Sequence, residues 1–140
     1  MNISRKCVGD FGEYLAYLHI INMKHEVLAF NYRSLYGEID IVSCENNKIH
    51  FIEVKTVLVS NVSRETSIFA EEHVTHEKIS KIYKTAEVFL DEFGSSGDSG
   101  QVDVIGIYID REFYKNQTNK SIIDPIQGVD YRIVYIENVF

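Results

Sequence analysis

Apolar residues recur three and four positions apart at Val8, Phe11, Leu15 and Leu18. That spacing makes one stripe on a helix and predicts helix from Val8 to about Met23. Glu13 falls off the stripe, early in the helix, beside Gly9 and Gly12. The period then shortens. Val27 to Arg33 is predicted as a strand, Ser34 to Gly37 as a turn, and Glu38 to Cys44 as a second strand that sets Ile39 and Ile41 against Glu38 and Asp40. Glu45-Asn46-Asn47-Lys48 is a turn, because asparagine tolerates the left-handed backbone that short hairpins need. Ile49 to Val57 is a third strand.

Residues 58–74 lack a clean period and are predicted as a loop. Thr75 is placed as a helix N-cap, with Lys78 where a capping box would carry an acid. Ile79, Ile82, Tyr83, Ala86, Phe89 and Leu90 continue a helical stripe to about Phe93. Gly94 to Gly100 is a flexible connector, and Val102 to Ile109 an apolar strand. Residues 111–128 are polar, hold the single proline, Pro125, and are expected to form a mobile loop before a last strand from Tyr131 to Ile136. The predicted order is α-β-β-β-α-β-β. With 140 residues, one domain spanning 1–140 is expected.

Composition narrows the class. The sequence is 45% hydrophobic and 25% charged, as for a globular protein. No apolar run approaches the roughly 20 residues of a membrane-spanning helix, and the N-terminus lacks a signal-peptide pattern. Cys7 and Cys44 make neither a metal-ligand spacing nor a disulfide framework. A cytoplasmic protein with no membrane partner is expected. The net charge of −7 argues against tight non-specific DNA binding. The acids are unevenly placed, however. Residues 1–60 carry six Lys/Arg against seven Asp/Glu and are the least acidic part of the chain.

That part holds the most informative chemistry. Gly37-Glu38-Ile39-Asp40 and Phe51-Ile52-Glu53-Val54-Lys55 lie on adjacent predicted strands. Residues two apart on a strand share a face, so Glu53 and Lys55 lie together, and a tight hairpin brings Asp40 to Glu53. Two converging carboxylates and an ammonium suit a divalent ion and a phosphodiester. Each residue also has a plainer reading: Glu53 and Lys55 as an exposed charge pair, Asp40 as a solvent-facing strand residue, Gly37 as a turn glycine. Arg33 can pair bidentately with phosphate, or simply form a surface ion pair. Lys78, Lys81 and Lys84, three apart on the second helix, can follow a nucleic-acid backbone or form a solvated face. Glu71, Glu72, His73 and His76 lack the further ligands and spacing of a zinc site.

Gly9-x-x-Gly12-Glu13, Asn31-Tyr32-Arg33, Gly37 to Val42, Phe51 to Lys55 and Asp103-Val104-Ile105 together resemble the bacterial YraN-like (UPF0102) family over roughly residues 5–110. That resemblance implies an α/β, restriction-endonuclease-like αβββαβ core, related to Holliday-junction resolvases, with a central mixed β-sheet flanked by helices. Residues 111–140 would add a loop and the final strand. It further implies a metal-dependent endonuclease acting on DNA, branched or single-stranded, with Mg²⁺ or Mn²⁺ as cofactor. Asp40, Glu53 and Lys55 match the acid, acid, lysine signature, and Glu13 matches a helix-borne acid of the resolvase branch. Asp40, Glu53 and the Val54 carbonyl would hold the metal. Lys55 would orient a water or stabilise developing charge, and Arg33, Lys78, Lys81 and Lys84 would contact nucleic acid. A homodimer is implied by the two-strand cutting of resolvase-like relatives. The chain departs from the family pattern at Val57, where relatives commonly carry arginine, and at Gln101-Val102, where they tend to carry Arg-Phe; the lost basic contacts and the net charge of −7 motivate the alternative, a non-catalytic nucleic-acid-binding or complex-assembly protein.

Overall fold

The computed structural model describes residues 5–62, 75–94, 99–117 and 125–139. Helix α1 spans Arg5–Asn22 and is followed by strands β1 (Glu26–Arg33), β2 (Glu38–Glu45) and β3 (Lys48–Val59). Helix α2 (His76–Phe93), strand β4 (Ser99–Asp110), helix α3 (Arg111–Gln117) and strand β5 (Tyr131–Ile136) complete the order. The strands form one mixed sheet in the order β1-β2-β3-β4-β5. β3 and β4 pair in parallel, and the other neighbours are antiparallel. The fold is therefore α/β, as the alternation of periods implies.

Two cores lie on opposite faces of the sheet. On one, Val8, Leu15, Ala16 and Ile20 of α1 pack against Ile41, Ile52, Ile105 and Ile107. On the other, Ile82, Ala86 and Phe89 of α2 pack against Val42, Phe51 and Val102. Adjacent residues such as Phe51 and Ile52 thus serve different helices, which is why β3 and β4 read as almost continuous apolar runs. Thr75 is the N-cap of α2, its hydroxyl accepting from the Lys78 N–H at 3.2 Å. Asn46 and Asn47 take left-handed φ values of 52° and 62° in the β2–β3 turn, as that turn requires.

Three expectations are corrected. Residues 111–117 form α3 rather than loop: Asp110 accepts from the Phe113 N–H at 2.8 Å, capping the turn, and Tyr114 buries beside Phe11. Leu18 is exposed, because the buried stripe of α1 passes through Gly12, Ala16 and Ile20 instead. Small residues there let the helix lie close to the sheet. Ile39 and Ile41 do not share a face, since Ile39 joins the α2 core and Ile41 the α1 core. The alternation breaks at Asp40, opposite Asn31, which lies between the Phe30–Ile41 and Tyr32–Ile39 pairs with φ 49°. Glu71, Glu72 and His73, most of the 58–74 loop and the middle of the Gly94–Gly100 connector lie outside the described residues. Among the described residues, no helix is long and apolar enough to cross a membrane.

Candidate functional site

The break at Asp40 has a chemical consequence. The β2–β3 ladder runs from the turn only as far as the Ile41–Ile52 pair. Beyond it, the Val54 N–H donates to Asp40 Oδ2 at 2.7 Å. A side-chain carboxylate thus takes the place of a strand carbonyl, and the strands part around it. Glu53 stands beside it on β3 and is only 5% exposed. From the α2 side, Lys78 reaches down and pairs its Nζ with Glu53 Oε1. The residue that left the capping box incomplete is therefore directed at β3.

Glu13 arrives from the other face. α1 approaches β3 so closely at Gly12 that a Cβ there would lie 1.8 Å from Thr56 Oγ1. That approach brings the carboxyl of the next residue, Glu13, against that of Asp40. Asp40 is thus the centre of the group, with the carboxyls of Glu13 and Glu53 on either side of it. Burial, then the Asp40 charge, push Glu13 up to about 7. The same causes push Glu53 up to about 7, against the opposing pull of Lys78. Burial also raises Asp40, although the Val54 N–H, Glu53, Lys78 and Glu13 all pull it back down. One lysine does not neutralise three crowded carboxyls, so the cluster holds protons near neutral pH. Oxygen donors with surplus negative charge are what a hard divalent cation selects.

Two open clefts flank Lys78. One, of about 590 Å³, is lined by Asp40, Glu53, Lys78 and Lys81. The other, of about 700 Å³, contains Glu13 together with four basic side chains: Arg5, Lys55, Lys78 and Arg111. Lys55 thus stands in the basic groove, beside rather than within the carboxylate cluster. Among the described residues it forms no ion pair. Lys81 rims the first cleft and lies 3.5 Å from Glu77. Lys84 turns away, over the Tyr36 ring at 5.7 Å. Arg33 donates to Glu38 Oε2 at 2.9 Å, with its side chain 78% exposed. The geometry sets Asp40 between Glu13 and Glu53 and pairs Glu53 with Lys78, puts Lys55 with Glu13 in the adjoining groove, and leaves Arg33 and Lys84 outside both clefts. Arg5 and Arg111 were not singled out in the sequence: each sits at the very start of a helix, and only packing brings them together.

A second polar group lies at the turn end of the same hairpin. Asp103 is fully buried on β4. It accepts from His50 Nδ1 at 2.7 Å, Tyr135 Oη at 2.5 Å, Gln101 Nε2 at 2.8 Å and the Asn138 N–H at 2.8 Å. Burial alone would raise its pKa, but these donors outweigh it and hold the carboxyl below its ordinary value. His25 lies against His50, with ring centroids 4.7 Å apart, and its Nδ1 is 2.8 Å from Ser43 Oγ. Ligand atoms of His25, Glu45 and His50 all lie within 4.8 Å of one another, as do those of His50, Asp103 and Glu137, so these groups are able to hold a metal ion. Sequence reasoning missed this network. Its members are scattered over 113 positions, and the one signal was the polar Asp103 inside an apolar strand.

Comparison with known proteins places this architecture in a single family. Residues 12–107 match the family described as uncharacterised protein family UPF0102. A UPF0102 protein of Clostridium novyi (strain NT) is 34% identical over 140 residues, covering 96% of each chain. One from Sulfurihydrogenibium sp. (strain YO3AOP1) is 38% identical over 99 residues, 71% of this chain and 82% of its own. One from Moorella thermoacetica is 32% identical over 112 residues, 80% and 89% respectively. The chain belongs to the UPF0102 family.

Proposed function

We propose that this protein is a restriction-endonuclease-like, Mg²⁺- or Mn²⁺-dependent phosphodiester hydrolase acting on DNA. The observation that carries the reading is the meeting of Glu13, Asp40 and Glu53 where β2 and β3 part, with a groove of four basic side chains alongside. Asp40 and Glu53 offer a hard cation oxygen donors at a ladder gap, and burial together with the Asp40 charge pushes Glu13 and Glu53 up to about 7. Asp40, Glu53 and the Val54 carbonyl would hold the metal, with Glu13 at its edge. Such a cation activates a bound water and offsets charge on the phosphoryl oxygens.

The chain's own residues have distinct tasks. Asp40 is held in place by the Val54 N–H, so its carboxylate is fixed before any ligand arrives. Lys78 neutralises Glu53 and would be released from it when a cation binds there. Lys55 would hydrogen-bond the attacking water or the charged phosphoryl oxygen. Arg5 and Arg111 line the groove in which the phosphodiester backbone would run. The acidic remainder of the surface would then limit binding to backbone that enters this groove.

The Lys78–Glu53 pair also supports the second reading, a nucleic-acid-binding or assembly protein with an idle site. A lysine on a ligand carboxylate substitutes for the metal. Incubating purified wild type and Lys55→Ala with duplex, single-stranded and four-way-junction DNA, with Mg²⁺ or Mn²⁺, separates the two. The hydrolase reading expects metal-dependent cleavage that falls roughly 10²–10³-fold in Lys55→Ala. DNA binding without cleavage on all three substrates would select the idle-site reading. Light scattering of the same samples tests the homodimer.

A further inference from the structure

We propose that His25, Glu45 and His50 form a second cation site, distinct from the carboxylate cluster, that takes Zn²⁺ or a similar borderline transition metal. The three residues come from three separate stretches of the sheet's first three strands and their approaches. His25 directly precedes β1, Glu45 ends β2, and His50 lies early in β3. Both imidazole Nε2 atoms face the same carboxylate oxygen: Glu45 Oε2 lies 3.5 Å from that of His25 and 3.7 Å from that of His50. These separations are too long for good hydrogen bonds. They are close to the spacing of tetrahedral ligands, which stand about 3.3 Å apart when each is about 2.0–2.1 Å from zinc.

The outer ring nitrogens are already anchored. His50 Nδ1 meets Asp103, an ionised carboxylate that only accepts, so Nδ1 carries the proton and Nε2 presents a lone pair to the centre. This carboxylate–histidine arrangement is the usual support of a zinc-ligating imidazole. Ser43 Oγ lies 2.8 Å from His25 Nδ1 and is able to accept its proton in a hydrogen bond, the tautomer that a metal at Nε2 would select. The result is an orphan: His25 Nε2 is buried with no hydrogen-bond partner, alone in this among the side chains of the described residues. A cation between the two rings would satisfy it. Two imidazoles and one carboxylate favour zinc over magnesium or calcium, which prefer all-oxygen sites. Glu45 is partly exposed and gives solvent a route in, so a water would complete the four positions. The site would tie the turn end of the hairpin to β1 and, through Asp103, to β4.

The test is calorimetric titration of the EDTA-stripped protein with ZnCl₂ in excess Mg²⁺, the hard cation that would occupy the carboxylate cluster. The visible spectrum with Co²⁺ in place of Zn²⁺ reports ligand geometry. One equivalent of Zn²⁺ is expected, with a four-coordinate Co²⁺ spectrum and a raised melting temperature. Affinity should fall at least tenfold in His25→Gln and Glu45→Gln and about tenfold in Ser43→Ala, while Asp40→Asn binds as wild type. Glu45 and Ser43 keep the test valid should His25→Gln not fold. The proposal is overturned by absence of stoichiometric Zn²⁺ binding, by full affinity in Glu45→Gln, or by loss of the site in Asp40→Asn. Failure of DNA cleavage leaves this result untouched, because the readout is metal binding at the other end of the hairpin.

Discussion

The two ends of the β2–β3 hairpin treat a buried aspartate in opposite ways. At the open end Asp40 receives one backbone N–H and is crowded by two further carboxyls. At the turn end Asp103 receives four donors and no competing acid among its bonded partners. Both are desolvated, and desolvation raises both. Only at Asp103 do the donors win. The contrast separates a satisfied carboxylate, which holds β3, β4 and β5 in register, from an unsatisfied cluster, which stores repulsion that a cation would relieve.

The sharpest way to break the comparison is to neutralise each aspartate in turn. Asp103→Asn should destabilise the protein by about 3 kcal/mol, because it removes a charged acceptor from buried donors. Asp40→Asn should leave stability unchanged or raise it, since the amide oxygen can still accept from Val54 while the repulsion disappears. Urea denaturation measures both, and equal losses would mean the two sites do not differ as described.

Metal-free protein should show the same contrast in its pH dependence. Glu13 and Glu53 bind protons more tightly when folded, so their contribution to stability is full below about pH 4.5 and is lost as the pH rises through about 7. Asp103 binds its proton less tightly when folded, so its contribution is present above its ordinary value of 3.8 and is lost on acidification. Thermal melts between pH 3 and 8 in EDTA should therefore peak near pH 5. Glu53→Gln should flatten the alkaline side alone.

Smaller effects follow from the supports. Gly12→Ala should push α1 off Thr56, cost about 1–2 kcal/mol and draw Glu13 away from Asp40 and towards solvent, lowering the pH at which Glu13 titrates by NMR. Arg33→Ala should alter stability by less than about 0.5 kcal/mol, since its pair with Glu38 is exposed. A larger loss would assign Arg33 a role its position does not suggest.

Much of the fold was legible because local periodicity is strong. β2 and β3 were found within two residues at each end, and the last strand, Tyr131–Ile136, was found outright. The helix at 111–117 was not, because seven residues offer too short a stripe and its packing through Tyr114 is long-range. For the site, spacing placed Asp40 and Glu53 on neighbouring strands, and helical phase set Glu13 off the apolar face. Lys78 was read as a nucleic-acid contact or a solvated residue, since nothing in the sequence reports that α2 crosses beside β3.

The sequence by itself determined the elements, the hairpin and the acids that it carries, because these rest on turn chemistry and on periods of two and 3.6. Only the tertiary structure decided which carboxyls share a desolvated space, how many donors each receives, and which lysine answers them. Those quantities depend on distance and dielectric between residues far apart in the chain, such as Glu53 with Lys78 or His50 with Asp103.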